Sequence, residues 1–210
     1  MIRRFSMAAL AFLLVLPIAA HAQDDFMMRV DRSTNAADPD DVPDVTITPA
    51  DGGFQVNTGP AAIIWEADNM ASGEYTLSAR FTLLEPSGHP NYYGLFYGGG
   101  ALEGERQNYM YFLIAQNGTY IVKHRAGNET VHDVQGRTAS DAIVTPGDDG
   151  TAVNDLEVRV GADETEFVIN GQVVFTAPKT GMAGRTDGLY GVRINHVIPG
   201  VLVQGLEVAH

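Results

Sequence analysis

The chain has 210 residues, with 13 Lys and Arg against 26 Asp and Glu, which gives a formal charge of −13. A surface this acidic repels nucleic acid and anionic lipid, and argues against both as partners. The chain has no cysteine, which excludes disulfides, thiolate catalysis and cysteine-ligated zinc.

The chain opens with a pattern typical of a secretory signal peptide. Arg3 and Arg4 precede an apolar run from Met7 to Ala20, and residues 20–22 form a small-x-small cleavage site. The apolar run is shorter than the ~20 residues that a membrane-spanning helix requires. We therefore predict a signal peptide at 1–22, a secreted or periplasmic location in a bacterium, and no membrane span after cleavage.

Residues 23–50 are predicted to form an acidic N-terminal arm. This segment contains the sequence DRSTNAADPDDVPD, in which Pro39 and Pro43 interrupt regular structure. The remaining residues, 51–210, are predicted to form one domain, and they are numerous enough to bury a core.

Short strand-like runs dominate the chain beyond the arm. They alternate between apolar and polar residues and are rich in aromatic and β-branched side chains. The predicted strands are Val45–Thr48, Phe54–Asn57, Ala61–Trp65, Tyr75–Leu84, Tyr92–Tyr97, Tyr109–Ala115, Thr119–Arg125, Ala152–Val160, Thr165–Ile169, Gln172–Thr176, Leu189–Ile194 and Val201–Val208.

The connections between these runs indicate antiparallel hairpins. Asn117-Gly118 and Asn170-Gly171 each separate two runs, and both residue types accept the positive φ of a type I′ turn. No segment keeps a 3.6-residue apolar period over three turns. The pattern predicts an all-β fold, a two-sheet antiparallel sandwich.

The sequence GGGALEGERQ at 98–107 is the most conspicuous loop. Gly99 and Gly104 have the spacing of the outer glycines of a phosphate-binding loop. Glu105 and Arg106 follow, however, where that loop has Lys and Ser or Thr. We interpret the segment as a connector between two strands.

Tyrosines at alternate positions of the strands around this loop suggest a sugar-binding face. If the tyrosine faces of neighbouring strands align, their rings form a strip on which sugars stack. The alternative is that these rings fill a half-buried face. The candidate ligand-binding residues are Tyr93, Tyr97, Tyr109, Tyr111 and His124 as the platform, with Glu103, Arg106 and Asn108 at its edge.

Catalytic and metal-binding patterns are incomplete. Glu66 and Asp68 match the start of the Glu-x-Asp-x-x-Glu motif of sandwich-type glucanases, but Ala71 replaces the last carboxylate. Glu164-x-Glu166 has the spacing of a carboxylate pair in a strand that we expect to face solvent. We predict no cofactor, but calcium is possible at two acidic clusters. These clusters are Asp148, Asp149, Asn154 and Asp155, and Asp38, Asp40 and Asp41.

A series of short motifs in fixed order carries a family resemblance. They are ASGEYTL at 71–77, YGLFYGG at 93–99, YMYF at 109–112, NGTY at 117–120, NDLEV at 154–158, VING at 168–171 and GLYGV at 188–192. Their order resembles the concanavalin A-like (laminin G-like) jelly-roll superfamily, and within it the bacterial 3-keto-disaccharide hydrolase-like domain family. The resemblance spans roughly residues 54–208. It implies a two-sheet jelly roll that interacts with carbohydrate.

The main hypothesis is an exported domain that recognises a glycan or cell-surface polymer through a concave aromatic face. One alternative is a glycoside hydrolase acting on a modified disaccharide. The other is a structural or adhesion module with no small ligand.

Overall fold

The computed structural model describes residues 26–31 and 44–210, which form fifteen strands and no helix. In chain order the strands are β1 (Phe26–Asp31), β2 (Thr46–Ala50), β3 (Gly53–Thr58), β4 (Ala61–Glu66), β5 (Met70–Ala71), β6 (Tyr75–Glu85), β7 (Tyr92–Gly100), β8 (Asn108–Ala115), β9 (Thr119–Ala126), β10 (Thr130–Ala139), β11 (Ala152–Val160), β12 (Glu164–Ile169), β13 (Gln172–Pro178), β14 (Gly188–Ile194) and β15 (Ile198–Ala209).

The strands build two antiparallel sheets. The first sheet has the order β1-β4-β14-β7-β8-β9-β10, with β5 beside β14, and the second has the order β13-β12-β11-β6-β15-β3-β2. Chain neighbours such as β6 and β7 lie in different sheets, so the chain crosses repeatedly from one layer to the other. The prediction of an all-β, two-sheet antiparallel sandwich is confirmed.

The two asparagine-glycine turns differ in type. Asn170 and Gly171 have φ values of 50° and 79° and join β12 to β13 as a two-residue hairpin, as predicted. The β8–β9 connection instead uses three residues, because Ala115 pairs with Thr119. Only Gly118 has a positive φ there, at 78°. This is a type I turn followed by a left-handed glycine.

The main core lies between the sheets. Phe112 of the first sheet meets Phe167 of the second at a centroid distance of 5.2 Å, and Tyr93 meets Phe81 at 6.0 Å. All four side chains are at most 1 % exposed. Burial of one such side chain contributes about 1.5–3 kcal/mol, so this layer dominates the stability of the sandwich.

A second apolar cluster covers the opposite face of the first sheet, which we call the outer face. It includes Ile63, Trp65, Phe96, Tyr109 and Leu113, all at most 3 % exposed. The central strands β7 and β8 are therefore buried on both sides, and their sequences are almost continuously apolar rather than alternating.

The two edge strands of the first sheet, β1 and β10, were missed by the sequence analysis. Strand β1 falls inside the segment 23–50 predicted as an arm, and it pairs with β4 along its whole length. Part of β2 also lies in that segment and pairs with β3. Strand β10 is largely polar and contains two register shifts, which remove the alternation on which the prediction depends.

The predicted signal peptide at 1–22 lies outside the described residues. Over residues 26–31 and 44–210, there is no helix of the length and apolar character needed to cross a membrane.

Candidate functional site: the outer face of the first sheet

Strand register determines which side chains share the outer face. Tyr109 and Tyr111 of β8 lie directly opposite Arg125 and Lys123 of β9. Opposite residues of an antiparallel pair point to the same side of the sheet. These four side chains therefore form one patch over the β8–β9 ladder, and Arg193 of β14 lies near it.

Arg193 is the centre of the polar contacts on this face. Its Nη1 donates to Oδ2 of Asp31 at 3.1 Å and to the hydroxyl of Tyr109 at 2.6 Å. Its Cζ lies 5.1 Å from the ring centroid of Tyr111 and 5.9 Å from that of Tyr109, within cation–π range. Arg193 is 7 % exposed, so one buried guanidinium links β1, β14 and β8.

The charges of this group are mutually stabilised. Burial alone would raise the pKa of Asp31, but the positive charges of Arg193 and Arg125, with hydrogen bonds from Arg193 and Arg29, outweigh it and leave this pKa below its ordinary value. Burial raises the pKa of Tyr109 to about 12, even though Arg193 acts to lower it. Asp31 is therefore ionised and Tyr109 neutral at physiological pH.

Arg29 ties strand β1 to two loops. Its Nε donates to Oδ1 of Asp31 at 3.2 Å, and its Nη1 donates to the carbonyls of Leu102 and Gly104 at 3.1 and 3.0 Å. Its Nη2 donates to Oδ1 of Asn128 at 2.7 Å. The glycine-rich loop thus presents carbonyl oxygens to a cation, which is the opposite polarity to a phosphate-binding loop.

Further basic side chains surround the buried centre. Lys123 pairs with Asp133 of β10 at 2.9 Å, with exposed side-chain fractions of 27 % and 61 %. The Cζ of Arg137 lies 5.9 Å from the ring centroid of Tyr92, and the Nε of Arg125 donates to the carbonyl of Gly127 at 2.9 Å. The outer face therefore combines a buried aromatic centre with a charged, partly exposed border.

Tyr93 and Tyr97, predicted as part of the platform, lie on the inner face instead. They pair with Ile114 and Met110, which belong to the core between the sheets. Both tyrosines are at most 1 % exposed. The first sheet itself separates them from Tyr109 and Tyr111, so the structure does not assemble the predicted tyrosine strip.

His124 and Asn108 also point inward. The Nε2 of His124 lies 3.1 Å from Oδ1 of Asn108, and its ring stacks on His132 at 5.9 Å. Burial lowers the pKa of His124, and the nearby positive charges of Arg185 and His132 lower it further. His124 is 2 % exposed, so it lies inside the sandwich rather than on a ligand-facing surface.

Glu103 and Arg106 are exposed in the glycine-rich loop. Between them and the sheet, Leu102 folds inward and is buried against the outer cluster. Glu103 borders a cleft of about 420 Å³ that is also lined by Met27, Trp65 and Leu102. Of the eight predicted residues, Tyr109 and Tyr111 therefore share the outer face, and Glu103 lies at its edge.

The residues at the centre of the polar contacts, Arg29, Asp31 and Arg193, were not among the predicted site residues, and neither were Asp133 and Arg137 of β10. Arg193 carried a usable signal, because it is the single charge in the apolar strand GLYGVRI. A charge in a buried strand requires a partner of opposite sign. Asp31 gave no such signal, because the strand that contains it was not predicted.

The candidate carboxylate pairs and calcium ligands form other contacts. Glu166 lies 3.8 Å from Arg159. Among the calcium candidates, Asp155 pairs with Arg80 at 2.7 Å, and Asp149 accepts hydrogen bonds from Thr151. No group of three or more His, Asp or Glu in the described ranges is arranged to hold a metal ion. Calcium stays a prediction, and Asp38, Asp40 and Asp41 lie outside the described residues.

Solved structures share the fold at low sequence identity. The carbohydrate-binding module CBM66 from Bacillus subtilis has a TM-score of 0.59 and 13 % identity over 80 % of this chain and 92 % of that one. A Bacillus subtilis protein of unknown function with a galectin-like fold has a TM-score of 0.57 and 12 % identity, with 88 % of each chain covered.

A third structure is a Parabacteroides distasonis protein provisionally assigned as a glycosyl hydrolase. It has a TM-score of 0.51 and 13 % identity, covering 87 % of this chain and 98 % of that one. No protein-family model and no curated protein matches the chain. At these identities the likeness shows the fold alone. The concanavalin A-like jelly-roll fold is thereby confirmed, and membership of the superfamily and of the narrower 3-keto-disaccharide hydrolase-like family stays a prediction.

Proposed function

We propose that this protein is a glycan-binding domain whose site is the outer face of the first sheet. A structure with the same fold is described as a carbohydrate-binding module, which makes carbohydrate a natural first ligand class. Fold alone does not assign function, however. The argument therefore depends on the side chains of the face itself, and export of the chain stays a prediction from its first 22 residues.

The observation that carries the proposal is the buried Arg193. A guanidinium held under two tyrosine rings is expensive to desolvate, and apolar residues of similar volume would stabilise a purely structural sheet face at least as well. In addition, the Nε of Arg193 is buried and has no hydrogen-bond partner among the described residues. This unmet donor adds to the cost of burying the guanidinium.

The border of the face offers the accessible contacts. Lys123 and Asp133 present a donor and an acceptor beside the ring of Tyr111, on neighbouring strands of one sheet. Tyr109 is fully buried and Tyr111 is 5 % exposed, so a sugar bound here would meet mainly these polar groups and only a small part of the Tyr111 ring. Because these groups sit on strands rather than on loops, their spacing is fixed before the ligand arrives.

Binding is favoured over hydrolysis at this face. A glycosidase needs one carboxylic acid whose pKa is raised so that it can protonate the leaving group. The pKa of Asp31 is lowered instead, because of its arginine neighbours. An ion-paired carboxylate of this kind orients a donor and accepts a hydrogen bond, but it does not supply a proton.

The test is a glycan array followed by titration calorimetry on the intact chain. The variants are Tyr111→Leu, which keeps an apolar side chain but removes the ring and hydroxyl, and Lys123→Ala. The matched control is Arg80→Ala, because Arg80 and Asp155 form a comparable cross-strand ion pair on the second sheet. We expect Tyr111→Leu and Lys123→Ala each to weaken binding severalfold, because one alters the packing beneath the polar border and the other removes an accessible donor, and we expect the control to bind normally.

Two results would overturn the proposal. One is an array on which the folded chain binds no sugar. The other is binding that survives both outer-face variants and is lost in Arg80→Ala, which would move the site to the second sheet. Thermal unfolding of each variant shows whether a lost signal reflects lost folding.

A further inference from the structure

We infer that the ligand of the outer face is an acidic glycan whose sugars carry carboxylate groups. The inference rests on the proposed function and adds the chemical class of the glycan. It is argued from the distribution of charge over the strands.

Positive charge is concentrated on one face of an acidic molecule. The described ranges 26–31 and 44–210 contain ten Lys and Arg against 21 Asp and Glu, a net charge of −11. Half of those ten basic residues project from the outer face of the first sheet. They are Arg29, Lys123, Arg125, Arg137 and Arg193. At the outward positions of the same described strands, the acidic residues are Asp31 and Asp133, so these strand positions have a net charge of +3, with Glu103 of the glycine-rich loop at their edge.

The two carboxylates do not neutralise these cations. Asp31 is shared by Arg29 and Arg193, and Asp133 pairs with Lys123. Arg125 donates to backbone carbonyls of the β9–β10 turn. Within the described part of the chain, neither Arg125 nor Arg137 forms an ion pair with a carboxylate. In the described chain these two guanidinium groups therefore have no carboxylate at ion-pair distance, and Arg125 acts on Asp31 only over a longer distance.

A carboxylate on the ligand would complete this arrangement. Guanidinium groups bind carboxylates through two parallel hydrogen bonds, which are about twice as strong as bonds between neutral groups. Arg137 covers the ring of Tyr92, which is 7 % exposed, so an acid group bound there meets the guanidinium rather than the aromatic surface. A neutral glycan would leave both guanidinium groups without a directly paired carboxylate.

The acidic remainder of the molecule limits the charge density of the ligand. The described residues outside these strand positions include five Lys and Arg against 19 Asp and Glu, a net charge of −14, which opposes nucleic acid with its one phosphate per nucleotide in close succession. A polysaccharide with at most one carboxylate per sugar spreads its charge over a longer chain. Its acid groups can meet the positive face without bringing much charge near the rest of the surface.

The experiment compares each acidic oligosaccharide with its own neutral form. Oligomers of galacturonate, glucuronate and mannuronate are titrated into the intact chain beside the same oligomers after carboxyl reduction. We expect at least one acidic form to bind about tenfold more tightly than its reduced partner. The difference should shrink as sodium chloride is raised from about 0.05 to 0.5 M, because salt screens exposed charges.

Arg137→Gln supplies the matched variant. It removes an exposed cation with no carboxylate partner in the described chain, and Arg80→Gln on the second sheet is its control. We expect Arg137→Gln to weaken binding of the acidic oligomer severalfold and to leave the reduced oligomer unchanged, while Arg80→Gln changes neither.

The possible failures are distinguishable. If acidic and reduced oligomers bind equally through the outer face, the inference is wrong and the proposed function stands. Binding only to sulfated glycans would also overturn the carboxylate assignment. If the folded chain binds no glycan of any kind, both the inference and the proposed function are wrong.

Discussion

Replacement of Arg193 by methionine is the sharpest test of the outer-face structure. The side chain is 9 % exposed and its partner Asp31 is 11 % exposed, so the pair is effectively desolvated. Removal of one partner from a buried ion pair costs about 3–5 kcal/mol. Asp31 keeps a second contact, with Arg29 at 3.2 Å. We therefore expect Arg193→Met to lower the free energy of unfolding by about 3 kcal/mol, at the lower end of that range.

Urea denaturation measures this loss. For a domain of this size the free energy of unfolding falls by roughly 2–3 kcal/mol per molar urea, so the midpoint should shift down by about 1 M. The double variant Arg193→Met with Asp31→Leu replaces both charges by apolar groups. We expect it to recover most of the loss, with a coupling free energy of about 2 kcal/mol or more.

The control is the exposed pair Arg80 and Asp155, whose side chains are 56 % and 45 % exposed. Pairs of this kind contribute up to about 1 kcal/mol, so Arg80→Met should move the midpoint little. A loss in Arg193→Met no larger than in Arg80→Met would refute the assignment of Arg193 as a buried, ion-paired group, and with it the main support for the site.

The ion pair of Arg193 and Asp31 also makes the stability of the fold depend on pH in the acid range. The pKa of Asp31 in the folded chain lies below its ordinary value of 3.8. Its stabilising effect is therefore complete above about pH 4, and it is lost as the pH falls through the lowered folded value. We expect Asp31→Leu to flatten the acid side of the stability profile, as measured by urea midpoints at a series of pH values.

Further predictions concern single side chains. The Tyr97 hydroxyl is buried without a partner in the described residues, so Tyr97→Phe should raise the free energy of unfolding by up to about 1 kcal/mol. Tyr109→Phe removes the hydrogen bond to Arg193 and should lower the free energy of unfolding by about 1.5–3 kcal/mol. Urea denaturation measures both changes. A Cβ at Gly191 would lie 2.2 Å from a backbone oxygen, so Gly191→Ala should cost more than about 2 kcal/mol, while Gly100→Ala, which meets no atom within 4 Å, should be nearly neutral. The pKa of His124 in the folded chain is lowered from 6.5, so below that pH the unfolded chain binds a proton more readily than the folded chain does. Urea midpoints should therefore fall as the pH drops below about 6.5. They should fall less in His124→Asn, which has no imidazole to protonate.

The fold was predictable because alternation within strands is a local property. The run Tyr75 to Leu84 was predicted as a strand, and β6 spans Tyr75–Glu85 with every second side chain buried through most of its length. The failures occurred where a strand does not alternate. Strand β10 is a mostly exposed edge with bulges, and edge strands of this kind carry polar residues that give no apolar pattern.

The candidate site was only partly predictable. Alternation shows that a strand has two faces, but it does not show which face packs between the sheets and which faces outward. Tyr92 and Phe96 alternate with Tyr93 and Tyr97, and all four rings are buried. Either set could have faced the ligand. The choice is made by cross-strand register, which pairs Tyr97 with Met110 and so sends it to the core. Register depends on partners distant in sequence, and one strand does not contain that information.

The position of Asp31 shows that β1 is part of the folded domain. Arg193 and Asp31 are 162 residues apart in the chain and meet only because β1 pairs with β4, which in turn pairs with β14. A chain that began at residue 51, the predicted domain boundary, would keep Arg193 buried on β14 and lose both Asp31 and Arg29. An unpaired buried charge destabilises a fold by several kcal/mol. The folded unit of the described chain therefore includes β1, because the counter-ion of the buried Arg193 comes from that strand.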